Sequence, residues 1–315
     1  MLTLSLTLLA CSPVVYSLSE EFVPERAPVV PAEGELVPME DIALTDVGTC
    51  EEWAAPVRTG SLADPTLDEV SGLAASHVNP GVLWVQEDSG NPNWITAIDA
   101  SGEVLATVVL DDVDNVDWED LAIGACPEGT CLWVADTGDN EGRRNDVRLL
   151  RFAEPVLDVG TARVLHVVPE VLPLRYPKGP QDAEALVVTQ DGRAWLLTKR
   201  RDLRAEVYAV TEGSDRLTWS GEVATDGEGD AADDARATGA TVRADGRLLL
   251  RTDARTWSLQ LDPVAFSADA EPARVEVPSA AQADVEAVAW AVDGRGYWQV
   301  GEGTGADIWF TACAD

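Results

Sequence analysis

The feature that most restricts what this chain can fold into is an internal repeat of about 50 residues. Five segments share one order: a polar, mostly acidic opening, a small apolar strand, a turn, then an apolar or aromatic strand. The openings fall at Glu69, Glu119, Glu184, Thr238 and Glu286. The second strands carry Trp84, Trp133, Trp195 and Trp298 at one position, with Leu248-Leu249-Leu250 in the fourth unit. In units three to five, Asp191-Gly192, Asp245-Gly246 and Asp293-Gly294 each place the glycine eight residues after the opening. Asp-Gly between two strand-like runs signals a hairpin, because such turns need a residue at positive φ. A unit of this length with four short strands is a propeller blade. The chain therefore reads as all-β, a single β-propeller of five four-stranded blades. Six blades is the runner-up, supported only by the long interval from 119 to 184.

The fifth unit holds three strands, the last running from Asp307 to Thr311, and Pro56 to Leu62 offers the fourth. Closure of this kind removes the unpaired strand edges. It also carries Cys50 to Cys313, while Cys126 and Cys131 flank one hairpin turn of the second unit. Two disulfides are expected, Cys50–Cys313 and Cys126–Cys131, in an oxidising compartment.

Leu2 to Ala10 is an apolar run too short to span a bilayer, and it reads as the core of an export signal. Its end, Leu8-Leu9-Ala10-Cys11, resembles the bacterial lipobox, whose cysteine is lipidated. Residues 1–11 are thus expected to be a lipoprotein-type signal, with Cys11 lipid-modified and Ser12 pointing to the outer membrane or periplasm. Simple secretion is the alternative. Residues 12–49 form an acidic, Pro-rich, disordered tether: Ser17 to Gly48 carries eight Asp and Glu against one Arg. The propeller is assigned to residues 50–315.

Charge narrows the function. The 315 residues contain 22 Lys and Arg against 56 Asp and Glu, a net charge of −34. Such a chain repels nucleic acid and anionic membrane surfaces, so membrane contact is expected only through the lipid. The expected species is a monomer whose partners are a divalent cation and a small-molecule or surface ligand. In a propeller blade, the entry to the first strand and the loop from second to third strand open on one face. Glu69, Glu119, Glu184 and Glu286 should therefore converge with Asp88, Asp136 and Asp139 at one mouth, joined by Lys199 and Arg251. Carboxylates crowded around an axis raise one another's pKa unless a cation compensates, and an all-oxygen set suits Ca²⁺, with Mg²⁺ second. The competing use of each Glu is to tie neighbouring blades through backbone N–H groups. His77 and His166 are assigned to packing or surface positions, which leaves no Ser-His-Asp triad. The repeated tryptophans are assigned to packing between blades rather than to a carbohydrate platform.

The Glu opening, the small-apolar strand and the acidic loop after the second strand resemble the phytase-like and SdiA-regulated propellers of secreted bacterial proteins, over about residues 50 to 315. Five blades with an acidic axis are also similar, more weakly, to calcium-dependent apyrases. That resemblance implies a calcium-dependent phosphoester hydrolase, with Glu119, Glu184, Lys199 and Arg251 as catalytic candidates. In it, Lys199 and Arg251 would hold phosphate oxygens. Thr238 stands where a fourth Glu would complete the ring, and no residue set names a nucleophile. A non-catalytic binding or scaffold module is therefore the first expectation, with the hydrolase as the alternative.

Overall fold

The computed structural model describes residues 50–127, 129–157, 164–260, 274–282 and 284–314. The expected signal, the tether and Cys11 lie outside them. The described strands begin with β1 (Val57–Ser61). They continue with β2 (Val70–Ala75), β3 (Val82–Glu87), β4 (Trp94–Asp99) and β5 (Val104–Leu110). Next come β6 (Trp118–Cys126), β7 (Gly129–Asp136), β8 (Val147–Ala153), β9 (Val164–Val167) and β10 (Glu170–Leu174). The third unit holds β11 (Ala183–Val188), β12 (Ala194–Thr198), β13 (Arg204–Ala209) and β14 (Thr218–Ala224). The fourth holds β15 (Ala237–Val242), β16 (Arg247–Thr252), β17 (Thr256–Gln260) and β18 (Arg274–Val277). The fifth holds β19 (Val285–Trp290), β20 (Gly296–Gly301) and β21 (Asp307–Ala312).

These strands form five sheets, one per unit, and together a five-bladed propeller. Asp-Gly chemistry sets the hairpins of blades 3 to 5. Gly192, Gly246 and Gly294 take φ of 80°, 84° and 66°. Their N–H groups close back onto the carbonyls of Thr189, Arg243 and Ala291 at 2.9, 2.9 and 2.8 Å.

The innermost strands are built from small residues, and β2, Val-Ser-Gly-Leu-Ala-Ala, is buried along its whole length. The hydrophobic core is divided among the seams between blades. Trp84 of blade 1 packs with Leu121, Leu132 and Leu150 of blade 2. Trp133 of blade 2 packs with Leu186, Leu196 and Tyr208 of blade 3, and Trp195 with Leu248 and Leu250 of blade 4. In blade 4, Leu249 meets Val288, Trp290 and Tyr297, and Trp298 of blade 5 lies against the cluster of Leu73, Leu83 and Ile98. The repeated tryptophan is therefore a seam filler.

The long second unit does not hide a sixth blade. Between β8 and β10 the chain leaves blade 2, and β9 pairs in parallel with β5. Blade 1 thus has five strands rather than four, in the order β2-β3-β4-β5-β9. His166 belongs to β9, and its Nδ1 lies 2.9 Å from Asp111 Oδ1.

Closure follows the expected scheme. β1 pairs antiparallel with β21, with Val57 opposite Phe310 and Ser61 opposite Asp307. Cys50 and Cys313 are disulfide-bonded at a Cα separation of 4.9 Å, spanning 263 residues, and Trp53 bridges to Cys313. Cys126–Cys131 staples the β6–β7 hairpin at 5.7 Å. In the chain-entropy account the long loop is worth about 5 kcal/mol and the short one about 2. Replacing Cys50 and Cys313 by Ser should therefore lower thermal stability well beyond replacing Cys126 and Cys131. Melting curves of the two double variants without reductant check this, and equal losses would contradict it.

Candidate functional site

Each innermost strand departs from its ladder at the same place. The β2–β3 pairing passes from Val70 to Gly72, skipping Ser71. The equivalent pairings skip Glu119, Glu184, Thr238 and Glu286. A bulge of this kind leaves one residue unpaired and re-aims its side chain. Here the bulges bring Glu119, Glu184 and Glu286 close enough around the axis to perturb one another or a shared lysine, Lys199.

The register corrects one expectation. Ser71, not Glu69, stands in the bulge tier of blade 1. Glu69 belongs to a second tier, two residues before each bulge, with Asp117, Asp182, Arg236 and Asp284. The carbonyls of this tier accept the N–H groups of Asp88, Gly138, Lys199, Asp253 and Glu302. The Glu69 side chain accepts from Asn91 Nδ2 at 2.8 Å. The missed residues had a legible signal, since Asp117-Trp118-Glu119, Asp182-Ala183-Glu184 and Asp284-Val285-Glu286 are three copies of Asp-x-Glu.

Two carboxylate triads form at the mouth. One is Asp88, Asp117 and Glu119, the other is Glu119, Asp182 and Glu184, and within each the oxygens lie within 4.8 Å of one another. Glu119 is common to both. It is 2% exposed, and its Oε1 has no hydrogen-bond partner among the described residues. The neighbouring loop leaves it room only because residue 138 is glycine. A Cβ there would lie 1.9 Å from Glu119 Oε1 and 2.6 Å from Asp117 Cγ.

Burial pushes the Glu119 carboxyl well up, and Glu184, Asp88 and Asp117 push it further. Burial also raises Glu184, Glu286, Asp88, Asp117 and Asp182. Glu302, on the rim beside Glu286, is raised to about 8 by burial and then by Glu286. Lys199 Nζ forms an ion pair with Glu184 Oε2. Burial opposes its charge, but Glu184, Glu286 and Glu119 together hold Lys199 protonated above its ordinary range.

The other expected residues serve the loops and seams. Asp136, fully buried, accepts from Arg144 Nη2 at 2.8 Å and Arg148 Nε at 2.7 Å. Asp139 accepts the N–H groups of Arg143 and Arg144 at 2.7 and 2.8 Å. Its own N–H donates to Asp182 Oδ1 at 2.8 Å, which fixes that ligand candidate in place. Arg251 does not reach into the mouth as a free cation. It donates to the carbonyls of Val285 at 2.7 Å and Asp253 at 3.0 Å, joining blade 4 to blade 5, and burial lowers its pKa to about 10. His77 lies toward the opposite end, in a cavity of about 50 Å³ lined by Leu73, Val188 and Trp290.

One buried acid was not foreseen. Asp120, fully buried next to Glu119, accepts from Leu121 N at 2.8 Å, Leu186 N at 2.7 Å and Ala240 N at 3.2 Å. These donors belong to blades 2, 3 and 4, so a single carboxylate ties three innermost strands together.

No family model and no curated protein matches the sequence. Among solved structures, the chain is similar to the PQQ-bound aldose sugar dehydrogenase from Streptomyces coelicolor, with a TM-score of 0.51 and 14% identity. That match covers 83% of this chain and 98% of the other. A structure of U3-55K matches at TM-score 0.40 and 10% identity, over 77% of this chain and 67% of that one. A chain of the mitotic checkpoint complex matches at 0.38 and 13%, over 76% and 61%. At these identities the first likeness supports the propeller fold and nothing finer.

The raised carboxyls give the folded protein a defined pH response. A group whose folded pKa lies above its unfolded value contributes stability that is complete below the unfolded value and lost as pH rises through the folded one. Without added metal, thermal stability should therefore fall as pH rises from about 4.5 through about 8, the span set by Glu302. Glu302→Gln should flatten the upper part of that fall. Melting temperatures across this range check the sign, and a rise with pH would contradict it.

Proposed function

We propose that the propeller is an exported binding or scaffold module whose acidic mouth holds a hard divalent cation, Ca²⁺ in the first instance and Mg²⁺ as the second candidate. The observation carrying this reading is Glu119, a buried carboxylate with an open oxygen, shared by two triads. Leaving such an oxygen unpaired among other carboxylates is costly, and a cation supplies what the backbone does not. Asp88, Asp117, Glu119, Asp182 and Glu184 are the ligand candidates, a hard all-oxygen set that suits Ca²⁺ and disfavours metals preferring nitrogen or sulfur.

The phosphoester hydrolase reading has less support. It needs cations free to hold phosphate, yet Arg251 is spent on backbone carbonyls and Lys199 on Glu184.

Export is supported by the two disulfides, which persist in extracellular or periplasmic conditions. Among the described residues no helix is long and apolar enough to cross a membrane. Lipid anchoring through Cys11 rests on Leu8-Leu9-Ala10-Cys11 alone. Mass spectrometry of the cell-derived protein should find a lipidated Cys11 at the mature N-terminus, and an unmodified Cys11 still joined to Ala10 would exclude it.

The cation has its own test. Ca²⁺ at a hundredfold excess over its dissociation constant should stabilise the native state by about 2.7 kcal/mol. Glu119→Gln and Glu184→Gln should each weaken that response, since an amide oxygen is a poorer ligand for a hard cation. Glu103→Gln, in the outer turn of blade 1, should not. A melting curve of metal-free protein that ignores calcium, magnesium and chelator would leave the carboxylates as a purely structural feature.

A further inference from the structure

A cavity of about 410 Å³ opens between blades 2 and 3, within the range of small-molecule sites, and none of the mouth carboxylates lines it. The charged residues on its wall are Arg144, Arg175 and Arg216 against a single acid, Asp146. The chain as a whole has 56 acids against 22 bases, so this wall reverses the balance of the molecule.

Tertiary pairing sets two of these arginines side by side. Arg175 follows β10 and Arg216 precedes β14. The two form a parallel bridge between the blades, and Leu217 N donates to Arg175 O at 3.0 Å. Residues opposite one another across a bridge send their side chains to one face, and like charges placed there repel.

The fold does little to offset that repulsion. Arg144 is already held by Asp136, with Nη2 2.8 Å from Oδ1. Arg175 has Asp215, but at 3.8 Å, with the two side chains 65% and 51% exposed, a pairing that contributes little. Asp215 also lines the neighbouring cavity rather than this one. The exposed Arg216 side chain has no ion-pair or hydrogen-bond partner among the described residues, and Asp146 pairs with none of the arginines among them.

We infer that this cavity binds a small organic dianion, either a phosphomonoester or a dicarboxylate, whose two negative charges are met by Arg175 and Arg216. Its organic body lies against Pro180 and the ring of Tyr176, which is held edge-on to Tyr208 at 4.9 Å. The site is separate from the cation site at the mouth. Nucleic acid is no candidate, because the surrounding acidic surface repels a long polyanion.

The probes are phenyl phosphate and phthalate, titrated calorimetrically into the full, metal-free chain. At least one should bind saturably with a stoichiometry of one, and the tighter of them identifies which dianion the arginines fit. Arg175→Gln and Arg216→Gln should each weaken that binding about tenfold, the size of one hydrogen bond to a charged group. Asp146→Asn, which removes the one acid on the wall, should strengthen it. Benzenesulfonate, with the same ring and a single charge, should bind more weakly.

Stability supplies a second readout. Arg216→Gln should not lower the melting temperature of ligand-free protein, because no partner is lost. The bound dianion should raise the melting temperature of the parent and not that of the protein carrying both Arg175→Gln and Arg216→Gln. The calcium response of the mouth should be the same in that double variant as in the parent, so a failure there and a failure here are distinguishable. Absence of saturable binding of either dianion, or binding unchanged by both arginine substitutions, would overturn the proposal. So would ligand-free Arg216→Gln melting well below the parent, since the arginine would then have a structural role. Equal binding of benzenesulfonate would overturn the preference for two charges.

Discussion

Crowding at the axis is the constraint on which the rest of this propeller depends. Five inner strands converge, and in four blades the residue after the bulge is Gly or Ala with almost no space. In blade 2 it is Asp120, whose carboxylate fills the room between strands. A Cβ on Gly72 would lie 2.5 Å from Leu121 N, and one on Gly239 would lie 2.8 Å from Glu286 O. Ala185 and Ala287 fill the same place in blades 3 and 5, fully buried. Asp120 apart, the long side chains that reach the axis come from the interruption of the ladder, which is the bulge. The packing of the inner strands therefore makes the bulge the place where a glutamate fits, without requiring one there.

The same crowding explains why the hydrophobic core lies in the seams. With small residues inside, the bulk needed to hold blades together comes from the second strand, where Trp84, Trp133, Trp195 and Trp298 stand. Leu249 at that position in blade 4 is smaller. Trp290, Tyr297 and the N-terminal Trp53 enlarge the same region, with Trp53 and Tyr297 edge-to-face at 5.0 Å. The blade with the smaller residue thus adjoins the seam strengthened by closure, disulfide and added aromatic rings. Each seam needs both its blades, so the ring gains its stability as a unit.

Much of the architecture was legible in the sequence because it rests on local chemistry. Asp-Gly turns, a tryptophan at a fixed distance and two cysteine pairs suffice to count blades and close the ring. What escaped was set by tertiary pairing. The first hairpin turns through Asn79-Pro80-Gly81 rather than Asp-Gly, so no anchor fixes its register. The repeat opening aligned on Glu69 falls two residues before Ser71, the residue equivalent to Glu119. β9 crosses to blade 1 through a parallel pairing that no local pattern encodes. Asp117 and Asp182 were visible as Asp-x-Glu, and Asp117 lies near Glu119 by local spacing, but the nearness of Asp182 to Glu119 depends on packing of blade 3 against blade 2.

Glu119 and Asp120 show how the axis divides its acids between structure and binding. They are adjacent in sequence, both essentially without solvent exposure, and burial drives the pKa of both upward. Asp120 is a ladder residue, and three backbone N–H groups converge on it, enough to satisfy the carboxylate where it stands. Glu119 is the bulge residue. The ladder offers its side chain nothing, the neighbouring side chains are acids, and Oε1 stays open. Placing a carboxylate where the fold supplies no donor serves no packing purpose, since Thr238 and Ser71 occupy the same tier at lower electrostatic cost. The difference between the two neighbours separates a residue that joins blades from one positioned to receive a cation.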